Sequence, residues 1–278
     1  MNLDPLQEQL ARLALSLPEA GLAALSGGGA MLAHGFVDRP TRDLDFFTPR
    51  PEDVHRLADA FAAAVRRSGG TSEVARREPT FVRMLVTMRA EHAVAVEIAQ
   101  DARIRDTVQL AIGSVLHPDE VAADKVLALF GRAAARDLVD VDALMRRYSR
   151  EELLTLAAEK DPGFARHVFA EALSAAIRHP DAAFAELRLD IPRIQSLRAS
   201  AQQWRADLAV ELSSCRAAGG TIQTRLHPDS RPPWRTRTTH PDCARQAGTG
   251  RHRPATRSLR LDPRSGQSPA STRTTASR

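Results

Sequence analysis

In the stretch SGGGAMLAHGFVDRPTRDLDFF, residues 26–47, three consecutive glycines precede a short DLD run by about fifteen residues. Few chain geometries suit both halves. Side chains one residue apart on a strand share a face, so Asp43 and Asp45 project together while Leu44 turns the other way into a core. Two carboxylates that close repel each other unless one is protonated or a cation lies between them. Mg2+ takes one or two carboxylates together with substrate phosphates. Gly27, Gly28 and Gly29 open a helix without side chains at its first turn, which leaves backbone N–H groups and the positive end of the dipole free for a phosphate. The pattern therefore predicts strand, glycine-opened helix and acidic strand in succession, and points to nucleotide chemistry. Either half alone has a plain structural reading, as a flexible turn or as an acidic pair on a solvated strand edge.

The surrounding pattern is consistent with a small α/β unit. Residues 21–26 read as a short strand, and the glycine-opened helix should run to about Phe36. PEDVHRLADAFAAAVRRSGG reads as a helix, with Pro51 in its first turn and a glycine stop. Strands are expected around Ser72–Arg77, in TFVRMLVTM and in HAVAVEIAQ, the last two from their β-branched or alternating apolar character. From His117 to about Ser213 the pattern is helical almost throughout, with breaks near Gly131, Ser149, Pro162, Pro180 and Pro192. The organisation expected is a mixed α/β unit over 1–115, a helical unit over 116–213 and a tail over 214–278.

The tail changes what the composition means. It holds 13 arginines, no lysine and three aspartates, so the chain's basic balance belongs to it and the remainder is net acidic. Rich in proline and poor in aliphatic residues, it cannot bury enough apolar surface to offset its ordering entropy, and disorder is expected. It reads either as an incidental extension or as an unspecific charge contact for nucleic acid. Both cysteines, Cys215 and Cys243, lie in or beside the tail, which leaves the expected folded part without disulfides or thiolate metal sites and fits a reducing cytoplasm. No apolar run approaches a membrane span. The N-terminal MNLDPLQEQLARLALSL has no basic region or cleavage site and reads as an amphipathic helix ending near Pro18, so a soluble cytoplasmic protein with no membrane partner is expected.

Further charged residues fall at inward positions. In VAVEIAQD, Glu97 alternates with Val96 and Ile98 and is the preferred third carboxylate, while Asp101, just past the strand, competes for that role. Lys125 is one of only two lysines, and it lies on the apolar stripe of its helix. It either snorkels at an edge or reaches a buried anion. Asp137 and Asp140 fall on the inward side of the next helix, as salt bridges to arginines such as Arg132 or Arg136 or as part of a site. Asp142 faces outward.

GGGAMLAHGF, RPTRDLDFF and ADKVLALFGRAAARDLVDVDAL together resemble the AbiEii/AbiGii nucleotidyltransferase toxins, which include the mycobacterial MenT enzymes, over roughly residues 20–175. The resemblance implies a nucleotidyltransferase-like small mixed sheet with helices. It also implies Mg2+ as cofactor, an NTP as substrate and transfer of NMP to RNA, with the tRNA 3′ end as acceptor and pyrophosphate released. A separately encoded antitoxin would be the partner. Carried over by position, Gly28 and Gly29 would hold the triphosphate, and Asp43 and Asp45 would hold metal. Lys125 would contact nucleotide phosphates, and Asp137 or Asp140 would complete the site. This chain departs from the family pattern in placing Glu97 where many relatives have aspartate, and in its arginine-rich tail. Two other readings remain open at this level, a small-molecule or protein nucleotidyltransferase and a catalytically silent nucleic-acid-binding module.

Overall fold

The computed structural model describes residues 3–88 and 92–217. Helix α1 (Pro5–Leu15) begins with Pro5 after Asp4, whose side chain accepts from the Leu6 N–H and forms a capping box with Gln7. Then come β1 (Ala24–Leu25), α2 (Gly27–Ala33), β2 (Asp43–Thr48) and α3 (Pro51–Arg67). Helix α3 has Glu52 and Asp53 in its first turn and Arg66 and Arg67 in its last, signs that suit its dipole. Strands β3 (Thr71–Glu78), β4 (Phe81–Thr87) and β5 (Val94–Gln100) follow where strands are expected.

Two three-residue strands, β6 (Val108–Leu110) and β7 (Gly113–Val115), were not expected. They are too short to show a period. Strand β1 covers only two of the six residues expected, and α2 ends at Ala33, short of Phe36. The seven strands form one mixed sheet in the order β3-β4-β5-β2-β1-β7-β6. Strand β2 runs parallel to β5 and β1 parallel to β7; all other neighbours are antiparallel.

Six helices follow: α4 (Pro118–Arg132), α5 (Ala135–Leu144), α6 (Arg150–Lys160), α7 (Arg166–Ala176), α8 (Asp181–Ala185) and α9 (Ile191–Ala217). Ser149 and Glu152 form the capping box that starts α6. Helix α9 passes Ser214, where the tail was expected to begin; from residue 218 that tail lies outside the described residues. One apolar core joins sheet and helices. Leu44 and Phe46 of β2, Val96 and Ile98 of β5, and Phe61 of α3 are all fully buried in it. Among the described residues no helix is long and apolar enough to cross a membrane.

Candidate active site

Strand β2 alternates as its sequence requires: Leu44, Phe46 and Thr48 are buried, whereas Asp43 and Asp45 share the opposite, partly open face. The parallel pairing with β5 sets Asp45 directly across from Glu97 and Asp43 across from Ala95. This register sets three carboxylates on one face of the sheet. Asp101 is not among them: it follows the far end of β5, where its N–H donates to the Thr48 carbonyl.

The like charges are felt. Burial, then Asp43 and Glu97, push the Asp45 carboxyl up to about 7, against the pull of Lys125 and Arg136. Burial also raises Glu97, opposed chiefly by Arg83, which pairs with it from β4. Among the described residues no cationic side chain forms an ion pair with Asp43 or Asp45. An acidic pair of this kind, open on one side and lacking a protein counter-ion, suits a divalent cation.

The glycine turn stands against this face. The Ser26 N–H donates to the Asp45 carbonyl at 2.8 Å, and Gly27 follows at φ +55°. A β-carbon on Gly27 would come within 1.9 Å of Asp45 Oδ2, so both the turn and the carboxylate require glycine here. Gly28 makes room for Thr41, whose Oγ1 would lie 2.4 Å from an added β-carbon, and Gly29 makes room for Leu25. Their lack of side chains therefore serves packing, while the Ser26 hydroxyl at the same turn is buried with no hydrogen-bond partner.

Lys125 reaches a buried anion. Its Nζ lies 3.0 Å from Asp140 Oδ2, and it is 7% exposed. The fully buried Asp140 also accepts from Arg39 Nε and Nη2 at 2.9 and 2.7 Å. Two cations thus share one carboxylate, and of the two Lys125 pulls on Asp45. Asp137 is paired separately. Burial alone would raise its carboxyl, but Arg132, through two hydrogen bonds of 2.6 and 2.7 Å and its charge, holds it below the usual range, helped by Lys125 and Arg136. Arg136 is exposed and forms no ion pair among the described residues. Asp142, expected to be solvated, is covered and paired with Arg193 of α9.

A second acidic group, Asp101, Glu120 and Asp124, has its carboxylate oxygens within 4.8 Å of one another. Its cation is the protein's own: Lys160 Nζ lies 2.6 Å from Asp101 and 2.7 Å from Glu120, and also pairs with Asp124. Sequence reasoning missed Arg39, Arg83 and Lys160. The first two depend on contacts across the fold that no local period announces. Lys160 had a signal, as the other lysine in a chain rich in arginine.

The family model for the nucleotidyl transferase AbiEii toxin of type IV toxin–antitoxin systems matches residues 9–231. The chain belongs to this family. The match extends beyond the 20–175 expected at both ends. JHP933 from Helicobacter pylori shares the fold at a TM-score of 0.50 and 19% identity, over 78% of this chain and 99% of that one. MenT4, a nucleotidyltransferase toxin from Mycobacterium tuberculosis H37Rv, aligns at a TM-score of 0.44 and 20% identity, over 78% of this chain and 93% of that one. No curated protein sequence matches. The fold is thus mixed α/β, and membership makes the chain a toxin-type nucleotidyltransferase, a class that uses NTP and implies an antitoxin.

Proposed function

We propose that this chain is a Mg2+-dependent toxin of the cytoplasm that transfers NMP from NTP to RNA, with the tRNA 3′ end as acceptor. The observation that carries this reading is the Asp43, Asp45 and Glu97 trio, set on one sheet face by the β2–β5 register. These three would hold Mg2+, which when bound would offset phosphate charge. The remaining chemistry belongs to placement and fixed charge. Lys125, oriented by Asp140, and the exposed Arg136 supply positive charge toward the polyphosphate. Gly27 keeps the carboxylate of Asp45 free of steric intrusion. In the reaction, an acceptor hydroxyl oxygen bonds to the α-phosphorus, the α–β anhydride bond breaks and pyrophosphate leaves. The hydroxyl proton passes to the carboxylate cluster.

An RNA acceptor is supported by the sheet beside the trio. There Arg83, paired with Glu97, and Arg76, paired with Glu78, lie in register, and the Arg76 guanidinium sits 5.4 Å from the centre of the Phe81 ring. Cations and an aromatic face suit a phosphate chain with bases. The test is incubation with each labelled NTP and total RNA, resolved on a gel. Label should enter a tRNA-sized band, and Asp45→Asn should lower transfer at least about a hundredfold. Full transfer by Asp45→Asn, or label on small molecules alone, would refute the proposal.

A further inference from the structure

Glu97 differs from Asp43 and Asp45 in already holding a cation of the protein. Arg83 stands directly across from it in the β4–β5 register and pairs with its Oε1, while Asp45 stands across from it on the other side. Glu97 thus lies between a guanidinium and a like-charged carboxylate. The Arg83 side chain is 34% exposed, and Glu97 is its only ion-pair partner among the described residues. Its long stem has several rotatable bonds. A metal ion on the trio and Arg83 would draw on the same carboxylate. A guanidinium released there, beside a bound polyphosphate, has a second partner of matching geometry.

We propose that Arg83 is an exchangeable counter-ion: it holds Glu97 while the trio lacks metal, and moves onto the polyphosphate of the bound NTP when Glu97 turns to the ion. This rests on the metal-site reading proposed above. It predicts that one substitution shifts two affinities in opposite directions, which a merely structural arginine would not do.

The experiment is calorimetric titration with Mn2+ in the absence of nucleotide, then with inorganic tripolyphosphate in the presence of Mg2+. Arg83→Gln should bind Mn2+ roughly fivefold more tightly than wild type, the scale of one half-exposed ion pair, and tripolyphosphate several-fold more weakly. Should that variant fail to melt cooperatively, Arg83→Lys supplies the same readout. Its ammonium cannot form the planar fork, so Mn2+ should again bind more tightly than in wild type. Unchanged or weaker Mn2+ binding in a folded variant overturns the exchange. Failure of the underlying site would look different, because Asp45→Asn would then bind Mn2+ as wild type does.

Discussion

Replacing Lys160 by methionine removes a charge while keeping a side chain of similar length. Its ammonium is the only cation paired with Asp101, Glu120 and Asp124 among the described residues, and the side chain is 3% exposed. Removing one partner of a buried ion pair costs about 3–5 kcal/mol. A domain of this size loses about 2–4 °C of Tm per kcal/mol, so the variant should melt roughly 10 °C lower near neutral pH. The three acids will not suffer equally. Glu120 Oε2 accepts from the N–H groups of Ile104 and Arg105, both at 2.9 Å. Glu120 Oε1 and Asp124 Oδ2 are both buried without a hydrogen-bond partner, so the backbone donors on the other Glu120 oxygen are what set the two acids apart.

The deficit should carry a pH signature. Burial raises Asp124 to about 7 even with Lys160 pulling it down, and burial raises Asp101 as well. A carboxyl whose folded pKa exceeds its unfolded value of about 3.9 binds more protons in the folded state. Its destabilising effect is absent below about pH 4, grows as pH rises from there to the folded value and is constant above it. Without Lys160 the upward shift increases, so the difference in Tm should be largest near pH 8 and shrink toward pH 5. Circular-dichroism melts of both proteins across that range would measure it. A deficit equal at every pH would assign the loss to packing, and no deficit at pH 8 would refute the ion-hub argument.

Asp140→Asn should cost about 3–5 kcal/mol in urea unfolding, since it leaves Arg39 and Lys125 without their buried counter-ion. Asp137→Asn should cost less, about 1–3 kcal/mol, because the Arg132 side chain is 48% exposed and water can replace the lost partner. The reverse order would contradict the pairing described. Gly27→Ala should lose about 1–3 kcal/mol to backbone strain and also displace Asp45, so transferase assays should show a loss of turnover that Gly35→Ala, with open space around it, does not share. A chain ending at Ala217 should melt as cooperatively as the whole, because Leu208 is the last side chain of the described core; a broadened melt would show that later residues complete it.

Much of the site is local and therefore legible in the sequence. The period of two in DLDFF orients Asp43 and Asp45 with no knowledge of neighbours, and the glycine run Gly27–Gly29 lies close by in the chain. The choice between Glu97 and Asp101 was of another kind, because it depends on strand register. Parallel pairing of β2 and β5, separated by a helix and two strands, sets Glu97 beside Asp45 and leaves Asp101 beyond the strand end. The Arg39–Asp140 pair joins residues 101 apart, and β6 and β7 are held by pairing and not by period. Charge type was more informative than spacing at two places. Lys125 and Lys160, the only lysines in the chain, are both buried against carboxylates. A compact ammonium can lie among three carboxylates, as at Lys160, where a planar guanidinium would fit poorly. In a chain that otherwise uses arginine for positive charge, the rare lysine marks an enclosed anion. That signal singled out Lys125 from sequence, and the same argument applied to Lys160 would have found the hub that ties α6 to α4 and the end of β5.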